Sequence, residues 1–290
     1  MNSTMRLAAC VAGLACAVAA HAQGGSGSAT GSAASNSANK TIGRDTSPLN
    51  PENALEIIKP PAAAEENAYK AFKGFQSISN EDLGRKMQAG ENFLKKYPAT
   101  TYSPYVYSFL TVAYIQSGSL DKGVAAGEKD LQLNPKDFRT MAVLSHALSR
   151  MVNVSSPDAV VQLAKAESYG KQAIEGIVTL PKPDRMSDAD FSDLKNQTLG
   201  MAHAGIGLVN LHNKNYASAI HELEQAVSLA ANEDPTNFYL LGVAYQNSRH
   251  FDKAEAAFKK CTASRGDLQA TCASGAEQAK RSAAQVASPK

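Results

Sequence analysis

The sequence has no tryptophan and few charged side chains, and its net charge is close to zero. Lysine and arginine number 29 and aspartate and glutamate 27, which gives a formal charge of +2. Because no basic block is present, the electrostatic signal of a nucleic-acid-binding protein is missing. The 290 residues, 43% of them hydrophobic, are enough for one large or two ordinary folded domains.

Sequence motifs of catalysis and metal binding are also missing. No GxSxG, HExxH, GxxxxGK[ST] or GxGxxG segment occurs in the chain. The histidines are scattered, and His212 and His221, which could approach each other, lack an evident third ligand for a metal. We therefore expect no enzymatic activity, no cofactor and no metal.

No apolar run reaches the length of about 20 residues that a membrane-spanning helix needs. A shorter run at residues 7–20 follows the basic residue Arg6 and precedes the small-x-small pattern Ala20-His21-Ala22. This arrangement is typical of a secretory signal peptide at residues 1–22 that is cleaved after Ala22. We expect a periplasmic or secreted protein whose mature chain begins at Gln23.

A second interpretation of the N terminus stays open. The segment Leu7-Ala8-Ala9-Cys10 looks like a lipoprotein box, in which Cys10 would carry the lipid. It follows Arg6 so closely that almost no apolar segment is left before the cut, so cleavage after Ala22 is preferred. The lipid-anchored alternative would be a component of envelope or outer-membrane assembly machinery.

Cleavage after Ala22 would leave two cysteines, Cys261 and Cys272. In an oxidising compartment, a pair at this spacing can close a small disulfide loop. The alternative is that both are small apolar residues packed within helices. The sequence leaves the disulfide as a possibility.

Residues 23–62 have the composition of a flexible leader. Residues 23–40 are almost wholly glycine, serine, alanine and asparagine, which bury too little apolar area to offset the entropy of ordering. Four prolines then bracket the apolar stretch at residues 53–58. We expect a tether whose residues 53–58 can dock on the folded part of the same chain.

Residues 63–287 have the spacing of paired helices. The clearest segment carries small, aliphatic and aromatic residues at fixed intervals over two helices: Phe238, Leu241, Gly242, Tyr245, Ala254 and Phe258. Gly242 and Ala254 are small enough to let the two helices cross at close range. The pattern resembles the tetratricopeptide repeat, with phenylalanine where tryptophan is common.

The resemblance implies an all-α fold, a right-handed α-solenoid of about five tetratricopeptide-like helical hairpins plus a C-terminal capping helix. Clear units begin near Pro104, Gly200 and Pro235, with degenerate pairs before and between them. Gly123 and Gly127 stand where alanine and phenylalanine are expected, which predicts loose packing of that second helix. Polar residues in the segment 268–286 predict the solubilising end that a solenoid needs.

In this family, first helices usually line a concave face that binds a peptide or another protein. None of the inward positions of the three clear units is lysine or arginine, so the carboxylate clamp of the cochaperone members is not expected. The predicted groove residues are Tyr105, Ser108, Val112, Ile115, Leu208, Leu211, Tyr239, Val243 and Gln246. They favour an apolar or amphipathic segment as partner. Packing against neighbouring helices is the alternative for the leucine and valine positions.

The resemblance therefore implies an exported scaffold for protein–protein interaction with a protein or peptide partner. The stretch 93–105 is also similar to junctions in exported bacterial repeat proteins of envelope assembly. This second likeness favours an exported bacterial member of the family.

Overall fold

The computed structural model describes residues 65–184, 186–229, 234–264 and 266–287. The predicted signal peptide at 1–22 and the predicted leader at 23–62 lie outside these residues. Within the described ranges, all regular secondary structure is helical. None of the helices described there is long and apolar enough to cross a membrane.

The described helices follow one another as antiparallel neighbours joined by short turns. They are α1 (Glu66–Gln76), α2 (Leu83–Lys96), α3 (Ser103–Gln116), α4 (Leu120–Leu133), α5 (Phe138–Met151), α6 (Ala159–Thr179), α7 (Asp188–His212), α8 (Tyr216–Leu229), α9 (Pro235–Asn247), α10 (Phe251–Ala263) and α11 (Gln269–Ala287). Helices α1 to α10 form five pairs, called units 1 to 5 below, and each pair contacts the next. The predicted all-α repeat array of five hairpins plus an end helix is confirmed.

Short polar side chains cap the starts of several helices. Each accepts a hydrogen bond from a backbone N–H in the first turn, and they are Asp82, Asp137, Ser187 and Asp234. Such a cap satisfies a donor that the helix itself leaves unpaired and stabilises the helix by about 1 kcal/mol. Pro235 stands in the first turn of α9, where its fixed φ suits a helix start.

The two helices of unit 5 cross closely, as the small residues predict. A β-carbon at Gly242 would lie 2.7 Å from Cδ1 of the Phe258 ring. Ala254 is fully buried, and Phe258 is buried in the same core cluster as Leu241 and Tyr245. A larger side chain at position 242 would push α9 away from α10.

The prediction of loose packing in α4 is wrong. A β-carbon at Gly123 would lie 2.6 Å from Cγ1 of Ile115, and one at Gly127 would lie 2.8 Å from Cδ2 of Leu144. The two glycines therefore mark close contacts of α4 with α3 and with α5. Each glycine costs about 1 kcal/mol of helix propensity relative to alanine, but a methyl group would not fit without a shift of its neighbours.

Units 3 and 4 are joined by an approach of two backbones. A β-carbon at Gly205 on α7 would lie 2.8 Å from the backbone nitrogen of His146 on α5. Gly170 on α6 is also packed closely against α7, because a β-carbon at this position would lie 2.6 Å from Cγ1 of Ile206. Helices α5, α6 and α7 thus form a tight three-helix junction in the middle of the array.

The array ends with α11. Cys272, Ala276 and Ala279 are buried against unit 5, whereas Glu277 and Lys280 on the other side of α11 are exposed. The end helix therefore has the polar outer face expected of a cap. A disulfide joins Cys272 to Cys261 with the two Cα atoms 5.9 Å apart, which links α11 covalently to α10.

Candidate binding face of the first helices

The first helices of units 2 and 3 each carry, along one side, a strip of side chains that are not fully buried. On α5, residues 139, 143, 146 and 150 are exposed or half-buried, and the residues between them are buried. On α3, residues 105, 109, 112 and 116 stand 34 positions earlier and are half-buried. The spacing of four, three and four residues places each strip on one side of its helix. We call the two strips the first-helix face: Tyr105, Phe109, Val112, Gln116, Arg139, Val143, His146 and Arg150.

The structure divides the nine predicted groove residues into two groups. Four are buried, with at most 9% of their surface exposed: Ser108, Leu208, Leu211 and Val243. Five are half-buried: Tyr105, Val112, Ile115, Tyr239 and Gln246. A partner cannot reach the buried residues without rearrangement of the helices, so these four are removed from the candidate binding residues. The half-buried five stay a prediction, and of these Tyr105 and Val112 belong to the first-helix face.

The buried positions are covered by neighbouring first helices. Leu208 and Leu211 on α7 share a core cluster with Leu240 and Val243 on α9. Ser108 is buried at the contact between α3 and α5, where its Oγ lies 3.1 Å from Oγ1 of Thr140. Helix packing thus decides these positions, as the sequence-based alternative allowed for leucine and valine.

At the unit 1 end, the first-helix face is a ridge of aromatic rings. The Tyr105 ring centroid lies 5.8 Å from that of Phe72, and Phe109 meets Phe75 edge-on with centroids 5.3 Å apart. Phe72 and Phe75 are buried in unit 1, so both outer rings are held in place from below. Fixed aromatic rings offer a large contact area at low cost in side-chain entropy.

Two carboxyl groups are buried close to Tyr105. Oδ1 of Asp137 accepts a hydrogen bond from the backbone N–H of Thr140 at 2.9 Å. Asp130 is fully buried in the same region. Burial, and next the charge of Asp137, raise the pKa of Asp130 to about 9. Asp130 is therefore a neutral acid at pH 7. Burial, and next Asp137, also raise the pKa of Tyr105.

The α5 strip carries the cations that sequence reasoning missed. Arg139 is half-buried and Arg150 is exposed, with His146 between them on the same side of the helix. Burial, and next the charge of Arg150, lower the pKa of His146 to about 4, although Asp234 acts in the opposite direction. His146 is neutral at pH 7, so the positive charge of the strip comes from the two arginines. Arg139 stands 34 residues after Tyr105, and applying this repeat length to Tyr105 would have identified it from the sequence.

Two of the described histidines have hydrogen-bond partners within the array. His203 Nδ1 lies 2.7 Å from Oε2 of Glu222, and His212 Nε2 lies 3.0 Å from the backbone oxygen of Ser149. In the part of the chain that the structure describes, no three metal-ligating side chains come together.

Comparison with known proteins agrees with this geometry. Residues 235–267, which contain α9 and α10, match the family model of the tetratricopeptide repeat. Unit 5 is therefore a tetratricopeptide repeat, and the resemblance predicted from the sequence is confirmed. Repeats of this family form scaffolds for protein–protein interaction, which is the class of protein that the fold and the matched unit define.

No curated protein matches the chain in sequence. Among solved structures, the crystal structure of a thermophilic TPR protein from Thermus thermophilus matches with a TM-score of 0.48 and 19% identity. The match covers 72% of this chain and 94% of that one. The fold assignment rests on the helix pairs themselves and on the matched unit.

Proposed function

We propose that the protein is an exported scaffold that binds an apolar or amphipathic segment of a partner on its first-helix face. The observation that carries this proposal is the aromatic ridge, in which Tyr105 and Phe109 are half-buried beside Val112. The interaction is noncovalent, and Tyr239 and Gln246 on α9 are likewise half-buried.

The ridge is built for binding without rearrangement. Its rings rest on buried phenylalanines, and α3 is fixed against α4 by Gly123 and Gly127. A partner that covers these rings therefore gains from apolar burial, at about 25 cal/mol per Å² of apolar area. Little of this gain is lost to ordering the scaffold, since the rings already occupy their bound positions.

Site-specific photo-crosslinking in the cell envelope tests the proposal. A benzophenone side chain in place of Val112 is expected to form adducts with a partner, and the adducts should decrease when an amphipathic peptide is added in excess. The matched control is the same side chain in place of Gln88, which is exposed on α2. Equal adducts at both positions, or adducts that the peptide does not reduce, would contradict a binding role of the first-helix face.

We further propose that leader residues 53–58 compete for this face. Glu65 accepts hydrogen bonds from the backbone N–H and the hydroxyl of Thr101 at 3.0 and 2.7 Å, so the described chain begins close to the start of α3. The seven residues from Ile58 to Glu65 span at most about 24 Å, which is enough to reach the neighbouring units. In the full chain, the double variant Leu55→Asp and Ile57→Asp is expected to raise the affinity for the amphipathic peptide several-fold, because the leader no longer competes. An unchanged affinity would overturn the proposed competition.

A further inference from the structure

We propose that the disulfide between Cys261 and Cys272 is a redox-sensitive switch that holds the end helix in place. While the bond is intact, α11 covers the far side of unit 5. Reduction of the bond by a dithiol releases α11 and uncovers the apolar end of the array. The switch involves only unit 5 and α11, so it is independent of the binding role proposed for the first-helix face.

The noncovalent contact of α11 with unit 5 is made by small side chains. The buried residues of α11 are Cys272, Ala276 and Ala279, and none of them is larger than cysteine. The free energy gained from apolar burial grows with the area that is covered, so a helix that buries only such residues is held weakly. Val286, near the C-terminal end of α11, is exposed and adds nothing to this contact.

The disulfide holds the start of α11. Cys261 lies in the last turn of α10, Cys272 lies in the first turn of α11, and both are fully buried. The bond is a second covalent link between two helices that are otherwise joined only by the chain at 264–268. A second link removes many of the orientations that α11 could reach after undocking, and it therefore shifts the equilibrium toward the docked helix.

One aromatic ring of unit 5 depends on α11 for its burial. The Phe258 ring contacts two glycines, because a β-carbon at Gly242 on α9 would lie 2.7 Å from its Cδ1 and one at Gly275 on α11 would lie 2.9 Å from its Cε1. Phe258 is buried while α11 is in place. Undocking of α11 would expose the part of this ring that Gly275 covers. It would also uncover Phe238, which shares a buried cluster with Cys272.

Reduction of the bond is a thiol–disulfide exchange. One thiolate of the dithiol attacks a sulfur of the disulfide, the S–S bond breaks, and a mixed disulfide forms. The second thiolate of the reductant then displaces the remaining cysteine, so the reductant leaves as a cyclic disulfide. Two electrons pass to the protein, and the two released cysteine thiolates take up the protons that the dithiol gave up. Because Cys261 and Cys272 are fully buried, the attack follows a local opening of α11.

Hydrogen exchange of the mature chain with and without dithiothreitol tests the switch. The chain from Gln23 onward contains only these two cysteines, and mass spectrometry after alkylation measures how completely they are reduced. We expect exchange in α11 to become at least about tenfold faster on reduction, and exchange in α5 to stay within about twofold.

The double variant Cys261→Ala and Cys272→Ala is the matched control for the reductant. Its exchange in α11 should equal that of the reduced parent whether or not dithiothreitol is present. The comparison of oxidised and reduced parent needs no substitution, so the test holds even where the variant does not fold. Exchange in α11 that stays within about twofold after complete reduction overturns the switch. A bond that dithiothreitol reduces in urea but not in native buffer also overturns it, because α11 then does not open in the folded protein.

Discussion

The buried acid Asp130 makes the stability of the array depend on pH in a defined direction. In the unfolded chain an aspartate releases its proton near pH 4, whereas the folded structure raises the pKa of Asp130 to about 9 because the group is buried beside Asp137. Between these two values the folded state holds one proton more than the unfolded state. Stability from this group is thus complete below about pH 4 and is lost as the pH rises toward 9.

The magnitude follows from the single proton involved. Each pH unit inside this window costs on the order of 1 kcal/mol of unfolding free energy, so a change from pH 5.5 to 7.5 costs roughly 2–3 kcal/mol. Asp130→Asn keeps the shape of the side chain and removes its titration. We therefore expect the stability difference between variant and parent to move in favour of the variant by on the order of 1 kcal/mol per pH unit.

Urea unfolding followed by circular dichroism at several pH values, at constant ionic strength, measures this difference. Because repeat arrays can unfold in parts, hydrogen exchange of residues 103–151 should be followed in parallel. Asp193→Asn, at an exposed position on α7, is the matched control and should follow the parent at every pH. Parallel pH curves for the parent and Asp130→Asn would refute the reasoning.

Three further outcomes are expected. Gly205→Ala should destabilise the protein by about 2 kcal/mol because a β-carbon there meets the α5 backbone. The control Gly84→Ala, whose β-carbon would point into open space, should stabilise the protein by about 0.5–1 kcal/mol. Equal melting temperatures of the two variants would contradict this expectation. Cys272→Ala should lower the free energy of unfolding by about 2–3 kcal/mol and speed hydrogen exchange in α11. Unchanged exchange in α11 would argue against a role of the disulfide in holding α11 against α10. Mass spectrometry of the exported protein should find Gln23 at its N terminus, and a diacylated Cys10 would instead support the lipid-anchored alternative.

Helix pairing could be predicted because its cause is visible in single residues. Gly242 and Ala254 stand at the crossing of two helices, and the structure packs the Phe258 ring onto Gly242 in the core cluster that also contains Ala254. Shifted along the chain, the same local pattern predicted three clear pairs and the end helix, and degenerate forms of it predicted the other two pairs. Gly123 and Gly127 led to the wrong prediction of loose packing in α4. The sequence shows that these positions lack a side chain, but it does not show which neighbouring residue fills the space.

The candidate binding face was harder to predict because it depends on how the units lie against one another. The burial of Leu208 and Leu211 follows from the approach of α9 to α7, which no local pattern encodes. Arg139 and Arg150 were missed because unit 3 departs from the repeat pattern and its inward positions were not assigned. Asp130 carries no sequence signal at all, since its pKa depends on burial and on Asp137.

Hydrogen exchange of the full chain with and without a saturating amphipathic peptide tests the central claim most directly. If the first helices form the binding surface, the peptide should slow exchange in α3 and α5 and leave the second helices α2, α4 and α6 unchanged. Protection confined to the second helices, or spread evenly over both sets, would contradict the account.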